Sequence, residues 1–168
     1  QPNADPPNAD PVTYILQENI TFSPNNMRDT GYYFLDSGTP TSSKDQAIYR
    51  ENKAFGIGFF AAIIIHGSHI ELDMNGHTLE QSEEHYLRQR FFSLIELADS
   101  PFLSGQGPHD FTSKISPASH IVIKNGKFGL SSHHGIHGNN TSHISLSNLQ
   151  FKEFEVAAIA LNGSHAVH

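Results

Sequence analysis

Gly135-Ile136-His137-Gly138 and Ala158-Ile159-Ala160-Leu161 are two copies of one short pattern. Two earlier segments, Ala62-Ile63-Ile64-Ile65 and Leu94-Ile95-Glu96-Leu97, fit the same pattern. The last two copies begin at residues 135 and 158 and so lie 23 residues apart. Self-similarity at a fixed period of this length is typical of a chain built from stacked, similar units.

The longer gaps between the earlier copies shrink to the same period when two segments are treated as insertions. Residues 82–90 account for the first gap and residues 101–118 for the second. Ser82 suits a helix N-cap and Glu83 suits the first turn, so we predict a short helix in the first insertion. The second insertion contains five glycine and proline residues without periodicity, which predicts a loop.

Two further short segments follow each of the first three copies, and the last copy is followed by the second segment alone. The second segment begins with histidine each time, in His69-Ile70-Glu71-Leu72, His120-Ile121-Val122-Ile123, His143-Ile144-Ser145-Leu146 and His165-Ala166-Val167. The third segment is marked by Leu79, Phe128 and Phe151, and the bend before it carries Asn75-Gly76, Asn125-Gly126 and Asn148. Asparagine and glycine accept a left-handed backbone conformation, and stacked asparagines can form a ladder of side-chain hydrogen bonds.

Three short alternating strands in each period predict an all-β solenoid rather than a sandwich. Alternation places one set of apolar side chains inside it, namely Ile63, Ile65, Ile95, Leu97, Ile136, Ile159 and Leu161. In this arrangement Ile63, Ile95, Ile136 and Ile159 form a single interior column.

The segments Leu72-Asp73-Met74-Asn75-Gly76-His77-Thr78-Leu79 and Ile121-Val122-Ile123-Lys124-Asn125-Gly126 resemble the opening coils of the pectate-lyase-like superfamily. The resemblance covers residues 59–168 and implies a right-handed parallel β-helix, here of about four coils. Polysaccharide lyases, hydrolases and epimerases use this fold, and so do phage tailspikes and non-catalytic surface proteins. The resemblance therefore implies a fold and not one activity.

The elements divide the chain into three parts. Residues 1–11 contain Pro-Asn-Ala-Asp-Pro twice and are predicted to be an extended arm. Residues 12–57 are predicted to be an N-terminal cap, with a strand from Val12 to Phe22, followed by an irregular segment. Residues 58–168 are predicted to be the parallel β-helix, which we expect to be incomplete at its C-terminal end because the chain stops within a second strand.

Composition excludes several classes of protein. Hydrophobic residues make up 37% of the chain, which is incompatible with intrinsic disorder. The net charge of −7 argues against a nucleic-acid partner and an anionic membrane surface. No apolar run approaches the roughly 20 residues of a membrane span. The absence of cysteine excludes disulfides and thiolate metal sites.

Four Asn-x-Ser/Thr sequences, at Asn19, Asn139, Asn140 and Asn162, are potential glycosylation sites and favour a secreted or surface-associated protein. Turn chemistry can create the same sequences, because Asn, Gly, Ser and Thr are common in turns. The chain opens at Gln1 without a methionine, which fits a mature chain from which a targeting segment has been removed.

Glu96 and His137 are the candidate catalytic residues. Alternation puts both on the outer face of the first strand, one above the other, with neighbours about 4.8 Å apart. They could form a general-base pair or, with His133 and His134 nearby, a weak metal site. The simpler alternative, which we favour, is a solvated surface pair that has no catalytic or metal-binding role.

Candidate binding residues lie in and near the insertions: Tyr86, Arg88, Arg90, His133 and His134. Loops that stand off a solenoid commonly carry its function, because the coils are mostly scaffold. A tyrosine ring there could form part of a wall that stacks against sugars.

Histidine also recurs at one coil position, in His69, His120, His143 and His165. Four imidazoles stacked at strand spacing cannot all be charged, because neighbouring charges would repel each other strongly. We therefore predict a neutral, hydrogen-bonded ladder at pH 7 rather than a column of metal ligands.

Two functions from different classes remain. The favoured one is an extracellular structural or adhesive β-helix, glycosylated at some of its sites, that assembles with neighbouring chains or contacts polysaccharide through its arm and insertions. The other, implied by the resemblance alone, is the N-terminal part of a polysaccharide lyase, hydrolase or epimerase. The acidic clusters of those enzymes are missing from the sequence, and a cofactor, calcium, is implied only by the resemblance.

Overall fold

The computed structural model describes residues 10–23, 61–87, 93–98 and 116–168. The predicted arm up to residue 9, the irregular segment from residue 24 onward and most of the loop insertion lie outside the described residues. Arg88 and Arg90 also lie outside them. The strands in the described part are β1 (Val12–Ile15), β2 (Ile20–Phe22), β3 (Ala61–Ile64), β4 (Ser68–Asp73), β5 (Thr78–Gln81), β6 (Ser93–Glu96), β7 (Ser119–Gly129), β8 (His134–Asn139), β9 (Ser142–Phe151), β10 (Ala157–Asn162) and β11 (His165–Val167).

These strands form two parallel sheets, so the all-β prediction is confirmed. In the first sheet β4 and β5 pair with successive halves of the long strand β7, and β9 continues beyond β7. β1 and β2 pair with β4 and β5 at one edge, and β11 pairs with β9 at the other. The second sheet has the order β10-β8-β6-β3.

The register confirms the spacing of the repeats. Ile136 pairs with Ile95 on one side and with Ile159 on the other, and Ile95 pairs with Ile63. Ile63, Ile95 and Ile136 are buried, but Ile159 is 42% exposed. Its position in the column was predicted correctly and its burial was not, because β10 is the last strand of its sheet and nothing described covers its far side.

The bends between the second and third strands contain the expected asparagines. Asn75, Asn125 and Asn148 have φ angles of 50°, 57° and 51°. The Asn148 side chain donates to Oδ1 of Asn125 at 2.9 Å. The ladder stops there, because Asn125 donates to Oδ1 of Asp73 at 3.1 Å and Asn75 to the carbonyl of Leu16 at 3.3 Å.

The segment from Val12 to Phe22 forms two strands rather than the single strand predicted. Both continue the stack: Val12 pairs with Ile70, and Ile20 pairs with Leu79. Asn19 lies in the bend between the two strands, where its Oδ1 accepts the backbone N–H of Thr78 at 2.9 Å. This bend divides the segment into two strands, which together add one further layer to the first sheet.

The predicted column of four histidines has only three members. His69, His120 and His143 stack with ring centroids 4.5 and 4.3 Å apart. His165 pairs with Ser142, so Ala166 occupies the next position, with the same left-handed backbone, at a φ of 52°. The ring of His165 meets that of His143 edge-on instead, at 5.8 Å.

The first insertion begins with the short helix α1 (Glu83–Tyr86). Its first turn starts at Ser82, whose carbonyl accepts the N–H of Tyr86 at 2.9 Å. Among the residues that the structure describes, no helix is long and apolar enough to cross a membrane.

The interior column yields a matched pair of substitutions. We expect Ile95→Ala to lower the free energy of unfolding by about 2–5 kcal/mol, because it leaves a cavity in a fully buried site. Ile159→Ala should cost roughly half as much or less, since part of that side chain is already in water. Urea denaturation followed by circular dichroism measures both values, and equal losses would contradict the difference in burial between the two sites.

Candidate functional site

Glu96 on β6 and His137 on β8 form the pair that the sequence predicts. The two strands are parallel neighbours, and these residues face each other in register. Nδ1 of His137 lies 2.9 Å from Oε1 and 2.8 Å from Oε2 of Glu96. The hydroxyl of Ser93 donates to Oε2 at 3.1 Å, a partner that the sequence did not suggest.

The expectation of a solvated pair is wrong. Glu96 is 0% exposed and His137 is 4% exposed. All four residues of β6 are buried, so both faces of this strand are covered. Alternation shows which face a side chain is on, but it does not show whether that face is in water. The uninterrupted apolar run Ala61–Ile65 in the same sheet was the available signal, because strands buried on both faces lose their alternation.

Burial controls the acid–base chemistry of the pair. Loss of solvation raises the pKa of Glu96 to about 7, although the hydrogen bonds from His137 and Ser93 act in the opposite direction. A carboxyl group that titrates near neutrality beside an imidazole can accept or release a proton under ordinary conditions. The pair is therefore a proton-holding site, closed to water in this structure.

His133 and His134 extend this polar cluster. Their Nδ1 atoms are 2.8 Å apart, so one ring donates and the other accepts. The ring of His134 stacks on that of His137, with centroids 5.0 Å apart. Burial lowers the pKa of His134 to about 3 and also lowers that of His133, with the neighbouring imidazoles adding to both effects. Both rings are therefore neutral at pH 7.

The turn that carries these histidines is fixed by buried hydrogen bonds. Ser131 donates to the carbonyl of His134 at 2.6 Å. Oε1 of Gln81 accepts the backbone N–H of Ser132 at 2.6 Å, and its amide donates to the hydroxyl of Ser132 at 3.2 Å. Among the described residues no three or more His, Cys, Asp or Glu side chains are arranged so that they could hold a metal ion. The weak metal site considered for Glu96, His137, His133 and His134 therefore does not form there.

The remaining described candidates are Tyr86 and the four asparagines. Tyr86 is half-buried in α1. Of the four glycosylation candidates, Asn19, Asn140 and Asn162 are exposed, whereas Asn139 is half-buried. The amide of Asn162 donates to Oδ1 of Asn139 at 3.1 Å, so these two form a second, shorter asparagine ladder.

A surface feature that the sequence did not suggest lies across the third strands of the layers, formed by β5 and the second halves of β7 and β9. It consists of two adjoining troughs of about 390 and 340 Å³. Both are lined by Lys127 and Gln150. Thr78, Glu80 and Lys152 line the first trough, and Asn125 and Asn148 the second. We call the two troughs together the furrow.

Comparison with known proteins returns no match: no family model, no curated protein and no solved structure is similar to this chain. The resemblance to the pectate-lyase-like superfamily thus stands on the sequence segments quoted above.

The buried carboxyl predicts a specific pH dependence. The pKa of Glu96 is about 7 in the folded protein and 4.5 in an unperturbed chain, so between these values only the folded state holds the proton. The stability that Glu96 contributes is therefore present below about pH 4.5 and lost as the pH rises through about 7. We expect the stability of the wild type relative to Glu96→Gln to fall by about 3 kcal/mol over this range.

Urea denaturation at closely spaced pH values measures this difference. Glu18→Gln, at an exposed position, is the matched control and should follow the wild type at every pH. The lowered pKa values of His133 and His134 have the opposite effect, because the stability that these two neutral rings contribute is lost as the pH falls. This effect is common to all three proteins. A difference between wild type and Glu96→Gln that does not change with pH would contradict a buried, protonated carboxyl.

Proposed function

We propose that this chain winds as a right-handed parallel β-helix and serves as an extracellular structural or adhesive rod. The observation that carries the proposal is the continuous in-register pairing from β1 through β4, β7 and β9 to β11. Each layer adds the same strand to the same sheet, so the stack has one long axis. Repeat structures of this kind offer extended surfaces rather than a single enclosed cleft.

Polar stacking on the bends supports a scaffold. The asparagines at 125 and 148 and the imidazoles at 69, 120 and 143 are each held by the layer beside them. Such contacts repeat along the axis and resist the sliding of one layer over the next. These contacts support the proposal of a stiff element that displays loops and sugars.

A catalytic alternative, the N-terminal part of a polysaccharide-acting enzyme, is favoured by one observation: a carboxyl group with a pKa of about 7 hydrogen-bonded to an imidazole. Perturbed groups of this kind are common in active sites. However, a general acid or base must reach the proton that it transfers. With Glu96 and His137 both buried, a polymer cannot touch them, so the structural function is the better supported.

An extracellular location is supported by the exposure of Asn19, Asn140 and Asn162. We expect the protein, when secreted from a eukaryotic host, to carry N-linked glycan at Asn140, whose side chain is exposed beside Gly163. Intact mass before and after enzymatic glycan removal measures the occupancy, and Asn140→Gln should lower it by one glycan. Asn75→Gln, which alters no Asn-x-Ser/Thr sequence, is the control. A mass unchanged by glycan removal would contradict the secretory assignment.

Turnover separates the two functions. We expect the protein to be retained by polysaccharide in affinity electrophoresis, or to self-associate in analytical ultracentrifugation, without releasing reducing ends or unsaturated uronates. Turnover by the wild type that disappears in Glu96→Gln but not in Glu18→Gln would overturn the structural proposal and establish the enzyme. Absence of retention, self-association and turnover together would overturn the adhesive role.

A further inference from the structure

We propose that Asn162 is a site of spontaneous deamidation, at which the backbone nitrogen of Gly163 attacks the side-chain amide. The sequence Asn-Gly occurs three times in the chain, at Asn75, Asn125 and Asn162. Glycine favours this reaction, because it has no side chain to shield its nitrogen. The reaction involves the chain alone, so the modification goes beyond the proposed function and does not depend on it.

The reaction requires water but no enzyme, oxidant or cofactor. The nitrogen of Gly163 gives up its proton and bonds to Cγ of Asn162, and the side-chain amide group leaves with that proton as ammonia. Water then opens the cyclic succinimide. Cleavage of the new bond to Cγ gives aspartate, whereas cleavage of the original peptide bond gives isoaspartate, in which the main chain runs through Cγ.

The layers on either side protect the other two Asn-Gly sequences. The N–H of Gly76 donates to the carbonyl of Asn125 at 2.7 Å. Gly126 lies within β7, pairs with Leu149 of β9 and is buried. A nitrogen that is bonded or buried in this way can attack only when the layers separate, which is a rare event in the middle of a stack.

The nitrogen of Gly163 is accessible. Asn162 and Gly163 are both exposed, and none of the hydrogen bonds among the described residues uses the N–H of Gly163. The carbonyl of Asn162 accepts the N–H of Asn140 at 2.7 Å. This bond polarises the peptide group that contains the attacking nitrogen, and so it favours loss of the proton from that nitrogen.

The side chain that is attacked is held weakly. Asn162 donates to Oδ1 of Asn139 at 3.1 Å, at the surface. Asn125, by contrast, donates to Asp73 and accepts from Asn148 at the same time. A single exposed hydrogen bond contributes little to stability, so the side chain of Asn162 can rotate toward the backbone nitrogen at small cost.

The backbone requires the glycine at this corner. Gly163 has a φ of 63°, and a Cβ there would lie 2.6 Å from Oδ1 of Asn140. Any other residue would be strained and would collide with that side chain. The reactive sequence is therefore built into the fold at this position.

Conversion changes the layer in two ways. A carboxylate replaces the amide that donates to Asn139, which adds a negative charge to a chain with a net charge of −7. Isoaspartate also lengthens the main chain and turns the carbonyl that binds Asn140 into a side-chain carboxylate, which disturbs the pairing of β10 with β8. A glycan at Asn162 would prevent both changes, because it is attached to the nitrogen that leaves as ammonia.

Peptide mapping by mass spectrometry tests the proposal on protein made in a bacterial host, where no glycan blocks the site. The tryptic peptide from Glu153 to His168 contains Asn162 as its single asparagine. We expect Asn162 to convert about tenfold faster than Asn75 or Asn125 in the folded protein, since attack at those sites first requires the loss of at least one hydrogen bond between layers. Methylation by protein isoaspartyl methyltransferase should increase in parallel.

Two references define the expected rates. A synthetic peptide of residues 158–168 sets an incubation time long enough for most of it to convert. In urea the three Asn-Gly sequences lack structure, so they should convert at similar rates. Asn162→Gln should abolish conversion at position 162, because the longer side chain closes a ring far more slowly. Asn75→Gln, which removes an Asn-Gly sequence from another layer, is the matched control and should leave the conversion of Asn162 unchanged.

Two results would overturn the proposal. One is conversion of Asn75 or Asn125 as fast as that of Asn162 in the folded protein, and the other is an unmodified Asn162 after the incubation that converts the synthetic peptide. Neither result bears on polysaccharide retention, self-association or turnover, which test the proposed function separately.

Discussion

In-register parallel pairing between layers is the constraint on which the rest of the structure depends. Equivalent residues of successive layers lie directly beside each other, so their side chains form columns. A residue type that packs well against its own kind stabilises the whole column, and one that packs badly destabilises it. Ile95 and Ile136 become a core in this way, and His120 and His143 become a stack. The same register places Glu96 within hydrogen-bonding distance of His137, although 41 residues separate them in sequence.

The two sheets use this register differently. The first keeps one face in water, and its outward rows alternate between charged, amide and hydroxyl side chains that form the furrow. The second is covered on both faces at β6, so the polar residues in its outward row have to satisfy one another. The hydroxyl of Ser93 and the ring of His137 both bond to the carboxyl of Glu96. An isolated buried carboxylate would be far more costly.

The sequence predicts the columns well, since a fixed period identifies which residues are equivalent. It places Ile63, Ile95 and Ile136 together, and it brings Glu96 to His137. The prediction fails where the outcome depends on what packs against a layer. Glu96 and His137 were expected in water but are buried, and Ile159 was expected inside but is exposed. The error at His165 has another origin, because matching by residue type overrode the count of 23, which selects Ala166. The furrow corresponds to no sequence motif, because its lining comes from side chains of several layers.

Complete enclosure of the Glu96 carboxyl also has a kinetic consequence. Neither oxygen touches solvent, so a proton has to pass through the almost fully buried His137 or wait until the strands around it part transiently. Local openings of this kind occur over microseconds to seconds, far more slowly than proton exchange at a surface group. After a sudden change of pH, the buried carboxyl therefore keeps its former protonation state until a local opening occurs. The protein responds to the new pH with a delay set by the rate of these openings.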